Sequence, residues 1–120
     1  MGTTDRPDVP FTYQALVMRD PDASTADEAF NAFALELDLC GVGATAEAAL
    51  EELAGNVEAQ VEHAVDQGDL GLLDFPAPEE YQSIARELRA AYLRGEVASA
   101  DRFVRSMPLP TGDGAAHRAA

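Results

Sequence analysis

Cysteine is nearly absent from this chain of 120 residues, since Cys40 is the only one. A single thiol excludes an intrachain disulfide, a four-thiolate zinc site and a Cys-x-x-Cys redox pair. We therefore expect a protein of a reducing compartment and predict a cytoplasmic location. Lysine is absent altogether, because all 8 basic residues are arginine. We interpret this as a bias of composition without functional meaning.

Long apolar runs are also missing. No stretch approaches the roughly 18 consecutive apolar residues of a membrane-spanning helix, and the segment around Phe33 is interrupted by Glu36 and Asp38. The N-terminal residues lack the apolar core of a secretory signal, and Arg6 stands where a myristoylation motif has serine or threonine. The sequence therefore predicts a soluble protein with no membrane partner.

The whole chain has a net charge of −14. Positive charge is missing from its central part. Between Arg19 and Arg86 the only basic residue is His63, whereas 16 acidic residues fall there. Such a stretch repels nucleic acid and anionic membranes and attracts a basic protein. We therefore predict a basic protein partner and no direct binding of nucleic acid. A solvated acidic surface, or adaptation to high salt, is the alternative interpretation.

The length fits a single domain, which would bury roughly 65% of its unfolded surface. Residues 1–10 are acidic and contain two prolines, which predicts a flexible lead-in. Residues 11–106 form the predicted domain. Residues 107–120 are rich in proline, glycine and alanine, which predicts a disordered tail.

Two alternating segments predict an antiparallel pair of strands. The first covers residues 11–19 and ends at Asp20-Pro21-Asp22, where proline cannot donate to a ladder. The second begins at Phe30 after a loop of about ten residues. We expect its more apolar side to face the core. That side carries Asn31, Phe33, Leu35 and Leu37.

Two helices should follow. Residues 41–44 are a turn or a very short strand, and Thr45 is a good N-cap for a helix whose apolar stripe continues to Gly68. Ala48 stands where a capping box has Glu, so only half of the box can form. Residues 69–75 are short and apolar and suggest an extended segment. A second helix should begin with Pro78 at its first position and stop near Gly95, whereas residues 96–106 fit a short helix or a strand equally.

These elements predict an α+β fold. We expect a small antiparallel sheet of two to three strands with the long helix packed on one face, and a second helix towards the C-terminus.

Two consecutive segments carry a family resemblance. Residues 33–39 read FALELDL, and residues 41–53 read GVGATAEAALEEL. Together they resemble the HicB-like family of antitoxin-type domains, in which a core strand precedes a Gly-x-Thr turn and a helix opening with Thr-x-x-Glu-Ala-Leu. The resemblance covers residues 11–67. It implies a partial ribonuclease-H-like fold, with about three strands and the long helix on one face.

The resemblance also implies a function. Many members bind a small basic RNA-cleaving toxin and cover its active surface, and many carry a separate C-terminal DNA-binding domain. The residues after Gly68 show no such module, because their arginines are scattered among acidic residues. We therefore predict a non-catalytic, antitoxin-like protein-binding module without a cofactor, metal or catalytic residues.

The predicted partner-binding residues lie on the polar side of the long helix. They are Glu47, Glu51, Glu58 and Glu62. Like charges four residues apart destabilise an isolated helix by roughly 0.2–0.5 kcal/mol per pair, so tertiary packing has to outweigh their repulsion. A homo-oligomer is also expected, because exposed sheet edges invite strand pairing.

Two other functions are compatible with the same sequence features. One is an orphan HicB-like domain with a regulatory or scaffolding role and no toxin. Another is a degenerate ribonuclease-H-like nuclease, whose carboxylates near strand ends would hold two divalent ions. Its candidate ligands are Asp20, Asp22, Glu36 and Asp38. His63 could pair with Glu62 or Asp66, although a solvated helix position is the simpler interpretation.

Overall fold

Four strands and two α-helices make up the computed structural model, which describes residues 12–96 and 99–110. The elements are β1 (Thr12–Arg19), β2 (Phe30–Ala34), β3 (Leu39–Gly43), α1 (Ala46–Gln67), α2 (Glu79–Leu93) and β4 (Arg102–Pro108). The predicted lead-in of residues 1–10 lies outside the described residues, as does the predicted tail from residue 111 onwards.

The strands form one antiparallel sheet in the order β3-β2-β1-β4. The α+β prediction is confirmed, but the expected number of two to three strands was wrong. The additional strand is β4, which returns after α2 and pairs with β1 from Arg102 to Pro108. Since Met107 and Pro108 belong to β4, the strand also extends beyond the predicted start of the tail.

Helix α1 has the ends that its sequence predicts. The Thr45 hydroxyl accepts a hydrogen bond of 3.1 Å from the backbone N–H of Ala48, which satisfies one of the unpaired N–H groups of the first turn. At the other end Gly68 has φ 64°, the left-handed conformation in which glycine costs least. Both boundaries follow from local chemistry.

The two helices cover opposite faces of the sheet. Tyr13 and Val17 of β1 pack with Leu53 and Val57 of α1 in the larger buried cluster. Leu16, which points to the other face, packs in a second cluster beneath α2. This cluster consists of Leu16, Leu35, Ala77 and Ala85, with Met18, Tyr81, Ile84, Leu88 and Val104 partly buried against it.

Helices cover both faces of the sheet, so the prediction that only one side of β2 faces a core is corrected. The ring of Phe33 stacks on Tyr81 of α2 at a centroid distance of 4.2 Å, away from α1. The residues of β2 that face α1 are Phe30, Ala32 and Ala34. Alternation could not distinguish the faces because both are apolar. The strand also ends early, since the N–H groups of Leu37 and Asp38 donate to the Ala34 carbonyl in a turn.

Helix α1 lies directly on β3, and two glycines make this contact possible. A Cβ atom on Gly41 would lie 2.4 Å from the backbone nitrogen of Leu53, and one on Gly43 would lie 2.6 Å from the Cβ of Ala48. Real Cβ atoms do not approach other atoms so closely. The glycine-bounded segment is therefore a strand that needs glycine for space.

The connection between the helices differs in detail from the prediction. Leu70–Leu73 form a 3₁₀ turn in place of part of the expected extended segment. Pro78 is the N-cap of α2, one position before the predicted one. In the described part of the chain, neither helix is long and apolar enough to cross a membrane.

Candidate functional site

The four predicted glutamates share one side of α1. At 100° per residue, Glu47, Glu51, Glu58 and Glu62 fall within an arc of about 60° and extend over about 22 Å of the helix. We call this set the acidic flank. Glu47, Glu51 and Glu62 are exposed and Glu58 is half-buried. The buried stripe of α1, which contains Leu53 and Val57, fixes the direction in which the flank points.

The other side of α1 is occupied by contacts with β3. The carboxylate of Glu52 accepts from the N–H of Val42 at 3.5 Å, and Nδ2 of Asn56 donates to the Cys40 carbonyl at 2.7 Å. These bonds distinguish Glu52 from the acidic flank, although it lies next to Glu51 in sequence. The helix therefore has one side bonded to the sheet edge and one side directed towards β4.

The acidic flank has a basic neighbour that the sequence did not reveal. Nη1 of Arg105 on β4 lies 3.0 Å from Oε2 of Glu47, and the Arg105 guanidinium also lies 5.4 Å from the centroid of the Phe103 ring. Although no arginine lies near α1 in the sequence, the negative charge of Glu47 is therefore paired with a positive charge of the same chain. Arg105 is 58 residues away in sequence, so helix periodicity could not indicate it.

A shallow cleft of about 500 Å³ separates the N-terminal half of α1 from β4. Glu47 and Glu51 line one wall, and Arg105 and Met107 line the other. The side chain of Glu51 makes no hydrogen bond or ion pair with any described residue, whereas Glu58 and Glu62 each have an interaction partner. Glu51 is therefore the carboxylate of the flank that is available to another molecule.

The carboxylates considered for a nuclease are not brought together. Asp20 and Asp22 follow β1, whereas Glu36 and Asp38 follow β2, and the antiparallel register places these segments at opposite ends of the strand pair. Glu36 accepts from the N–H of Gln14 at 2.8 Å, and Asp20 accepts from the N–H of Asp22 at 2.9 Å. Among the described residues, no group of three or more His, Cys, Asp or Glu side chains could hold a metal ion.

Two tyrosines have shifted acidities, and neither belongs to the acidic flank. Burial raises the pKa of Tyr13 above its usual value of 10.0. The pKa of Tyr81 is raised mainly by burial and secondly by the negative charge of Glu80. Both effects disfavour the phenolate form. Tyr13 lies in the core beneath α1, and Tyr81 lies on α2 against the second buried cluster.

Comparisons of the chain with protein-family models, with characterised proteins and with solved structures find no match. The HicB-like resemblance stays a prediction from its sequence segments.

Proposed function

We propose that the chain is a non-catalytic protein-binding module of the HicB antitoxin type, which binds a small basic protein through the acidic flank of α1. The observation that carries the proposal is the arrangement of Glu47, Glu51, Glu58 and Glu62 on one side of the helix. Within the described part of the chain, the carboxylate of Glu51 has no hydrogen bond or ion pair. No charged side chain of the described residues is buried. The negative charge of the chain therefore acts at the surface, where a partner would meet it.

Electrostatic attraction would act mainly on association. Clustered charge of one sign raises the encounter rate with an oppositely charged protein and disfavours wrong partners. Because α1 is held by its cap and its packing, the glutamates are presented without the cost of ordering a flexible segment. An RNA-cleaving toxin is the kind of basic partner that the family resemblance suggests, and no cofactor is required.

We also propose that the chain self-associates, as its sequence predicts. Exposed apolar side chains along the end of α1 and the connection to α2 offer a surface for this contact. They are Val65, Leu70 and Phe75, which are 48%, 67% and 51% exposed. Light scattering on the purified protein would measure the oligomeric state, and a monomer at all accessible concentrations would contradict the proposal.

The second candidate is an orphan domain of the same type, with a regulatory or scaffolding role and no toxin. The ion pair between Glu47 and Arg105 favours it, since part of the flank is neutralised within the chain. The two candidates differ in whether a small basic protein binds.

Affinity purification of the tagged chain from its native host, followed by mass spectrometry, would identify candidate partners. The recovered protein would then be titrated into the purified chain at about 0.1 M and about 1 M salt, which shortens the Debye length from about 10 Å to about 3 Å. We expect strong binding at low salt and at least tenfold weaker binding at high salt. The double variant Glu51→Lys, Glu58→Lys should weaken low-salt binding by a similar factor.

A matched control separates the flank from net charge. Asp27 and Glu28 are exposed in the loop between β1 and β2, so Asp27→Lys plus Glu28→Lys changes the net charge by the same amount elsewhere. Equal loss of binding in both double variants would show that total charge, and not the acidic flank, attracts the partner. Recovery of no basic protein would favour the orphan domain.

A further inference from the structure

Two arginines of the described residues, Arg89 and Arg102, have no carboxylate partner there, and both line the same cleft. Among the described residues, ion pairs join Arg19 to Asp101, Arg86 to Glu79, Arg94 to Glu96 and Arg105 to Glu47. Arg89 donates instead to the neutral amide oxygen of Gln14 at 3.2 Å. Arg102 has no side-chain hydrogen bond or ion pair within the described residues. Among the described residues, Arg89 and Arg102 thus place positive charge without a carboxylate partner in this cleft, whereas Arg105 and Glu96, which also line it, are each in an ion pair.

The cleft lies between α2 and β4 and measures about 830 Å³. Leu88 and Tyr92 form its apolar wall on α2, and Val104 lies on the β4 side. Tyr92 is 72% exposed, so the ring offers an aromatic surface that the fold does not use. The volume falls within the range of ligand sites, roughly 300–1,000 Å³. Apolar walls with unneutralised guanidinium groups fit an occupant that carries both apolar side chains and negative charge.

The strand beside this cleft has an open edge. The N–H of Arg19 donates to the Asp101 carbonyl, and antiparallel alternation then directs the backbone groups of Phe103 and Arg105 towards β1. The N–H and C=O groups of Val104 and Ser106 therefore point away from the sheet, and no described residue bonds to them. An edge of this kind is a template for another strand.

The opposite edge of the sheet is different. On β3 the outward-pointing Val42 N–H and Cys40 carbonyl already bond to side chains of α1. The described sheet thus has one edge that is partly bonded to its own helix and one edge that is open beside the cleft.

We propose that an extended acidic peptide of a partner protein binds as an additional strand along the outer edge of β4, with carboxylates at Arg89 and Arg102 and an apolar side chain against Leu88 and Tyr92. Main-chain hydrogen bonds to Val104 and Ser106 would hold the strand, and the cleft would select its side chains. This surface is separate from the acidic flank of α1 and carries the opposite charge.

The charges of the cleft and of the whole chain favour an acidic peptide over a second copy of the chain and over a nucleic acid. A second copy paired through β4 would offer Arg102 no carboxylate from its own β4 and would bring together two chains that each have a net charge of −14. A nucleic acid would carry one negative charge per nucleotide past a surface of net charge −14. A short peptide with a few carboxylates gains the contacts with Arg89 and Arg102 at a smaller electrostatic cost.

The probe is a fluorescein-labelled peptide of about seven residues, the length of β4, in which threonine alternates with glutamate and leucine. Its binding to the purified full chain would be followed by fluorescence anisotropy at about 50 mM salt. We expect saturable binding, weakened about tenfold or more by Arg102→Glu, because a charge-assisted hydrogen bond is lost and replaced by repulsion. Arg86→Glu, which changes charge equally outside the cleft, should have little effect.

Strand addition is tested separately from charge. Ser106→Pro removes an outward N–H and the side-chain bond from Gln14 Nε2 to Ser106 Oγ, but no backbone bond to β1. Ser106→Ala loses the same side-chain bond and keeps the N–H. We therefore expect Ser106→Pro to abolish binding and Ser106→Ala to retain it. Circular dichroism would verify that each variant is folded. Several results would overturn the proposal: no saturable binding up to about 1 mM, equal binding of a peptide with lysine for glutamate, tighter binding of a single-stranded oligouridine, or a dimer that Ser106→Pro dissociates.

Discussion

Asn56 of α1 donates a hydrogen bond of 2.7 Å to the carbonyl oxygen of Cys40 on β3. A helix side chain thus satisfies a backbone group that an edge strand would otherwise present to solvent. Glu52 does the same for the N–H of Val42, at 3.5 Å. The long helix therefore bonds part of this sheet edge as well as covering the core, whereas the outward backbone groups of Val104 and Ser106 on β4 bond to no described residue.

We expect Asn56→Asp to lower the free energy of unfolding by about 1 kcal/mol or slightly more. The substitution keeps the shape of the side chain, removes the donor and brings a carboxylate next to the Cys40 carbonyl. Urea denaturation followed by circular dichroism would measure the change. Gln67→Glu, at the exposed last residue of the same helix, adds the same charge away from β3. An equal loss in both variants would mean that the bond contributes nothing beyond net charge.

Gly41→Ala and Gly43→Ala should each destabilise the fold by at least about 2 kcal/mol. Their new Cβ atoms would lie 2.4 and 2.6 Å from atoms of α1, so the helix would have to move away from β3. Urea denaturation of the two variants tests this expectation. Stability within about 0.5 kcal/mol of the parent protein would show that α1 can shift at little cost.

Gly55→Ala is the matched substitution with the opposite expected sign. Gly55 lies inside α1 with nothing within 4 Å of its Cβ position. Alanine should therefore stabilise the helix by roughly 0.5–1 kcal/mol. The same denaturation experiment measures the gain, and a loss of stability would contradict the open surroundings of this residue.

The parts of the fold that the sequence predicted are those set by local chemistry. Thr45 and Gly68 mark the ends of α1 through a side-chain bond and a left-handed residue. The alternation from Tyr13 to Val17 likewise predicts β1. Tyr13 and Val17 face the buried cluster beneath α1, and Leu16 faces the cluster beneath α2. Each of these signals lies within a few residues of the feature that it predicts.

The parts that were missed depend on contacts between distant segments. β4 is an edge strand with half-buried Phe103 and Val104 and exposed Arg105, so its alternation is weak. Its pairing with β1 joins segments about ninety residues apart. The ion pair of Arg105 with Glu47 follows from that pairing. The flank of glutamates could be predicted from helical periodicity, but its neighbour across the cleft could not.

Alkaline pH should destabilise the protein through Tyr13. Burial raises its pKa above 10.0 in the folded state, so the stabilising effect of the neutral phenol is complete below about pH 10. It is lost as the pH rises through the folded-state pKa, because the unfolded chain releases the proton first. The absence of lysine removes the ammonium groups that would otherwise titrate in this range.

Denaturation of the parent protein and Tyr13→Phe at several values between about pH 8 and pH 11.5, with a reductant present, would test this prediction. The stability of the parent should fall relative to the variant above about pH 10. Part of the loss should remain in the variant, because the pKa of Tyr81 is raised too. Tyr92→Phe, at an exposed position, is the control. Parallel curves for the parent protein and Tyr13→Phe would contradict a role for Tyr13.

The ion pair between Glu47 and Arg105 should contribute little to stability. Its side chains are 73% and 44% exposed, and water screens such pairs to about 1 kcal/mol or less. A double-mutant cycle with Glu47→Gln and Arg105→Gln would measure the coupling energy at about 0.05 M and about 1 M salt. We expect a small coupling that disappears at high salt. A coupling above about 2 kcal/mol that persists in salt would instead mean that β4 and α1 exclude water around the pair, and that Glu47 is unavailable to a partner.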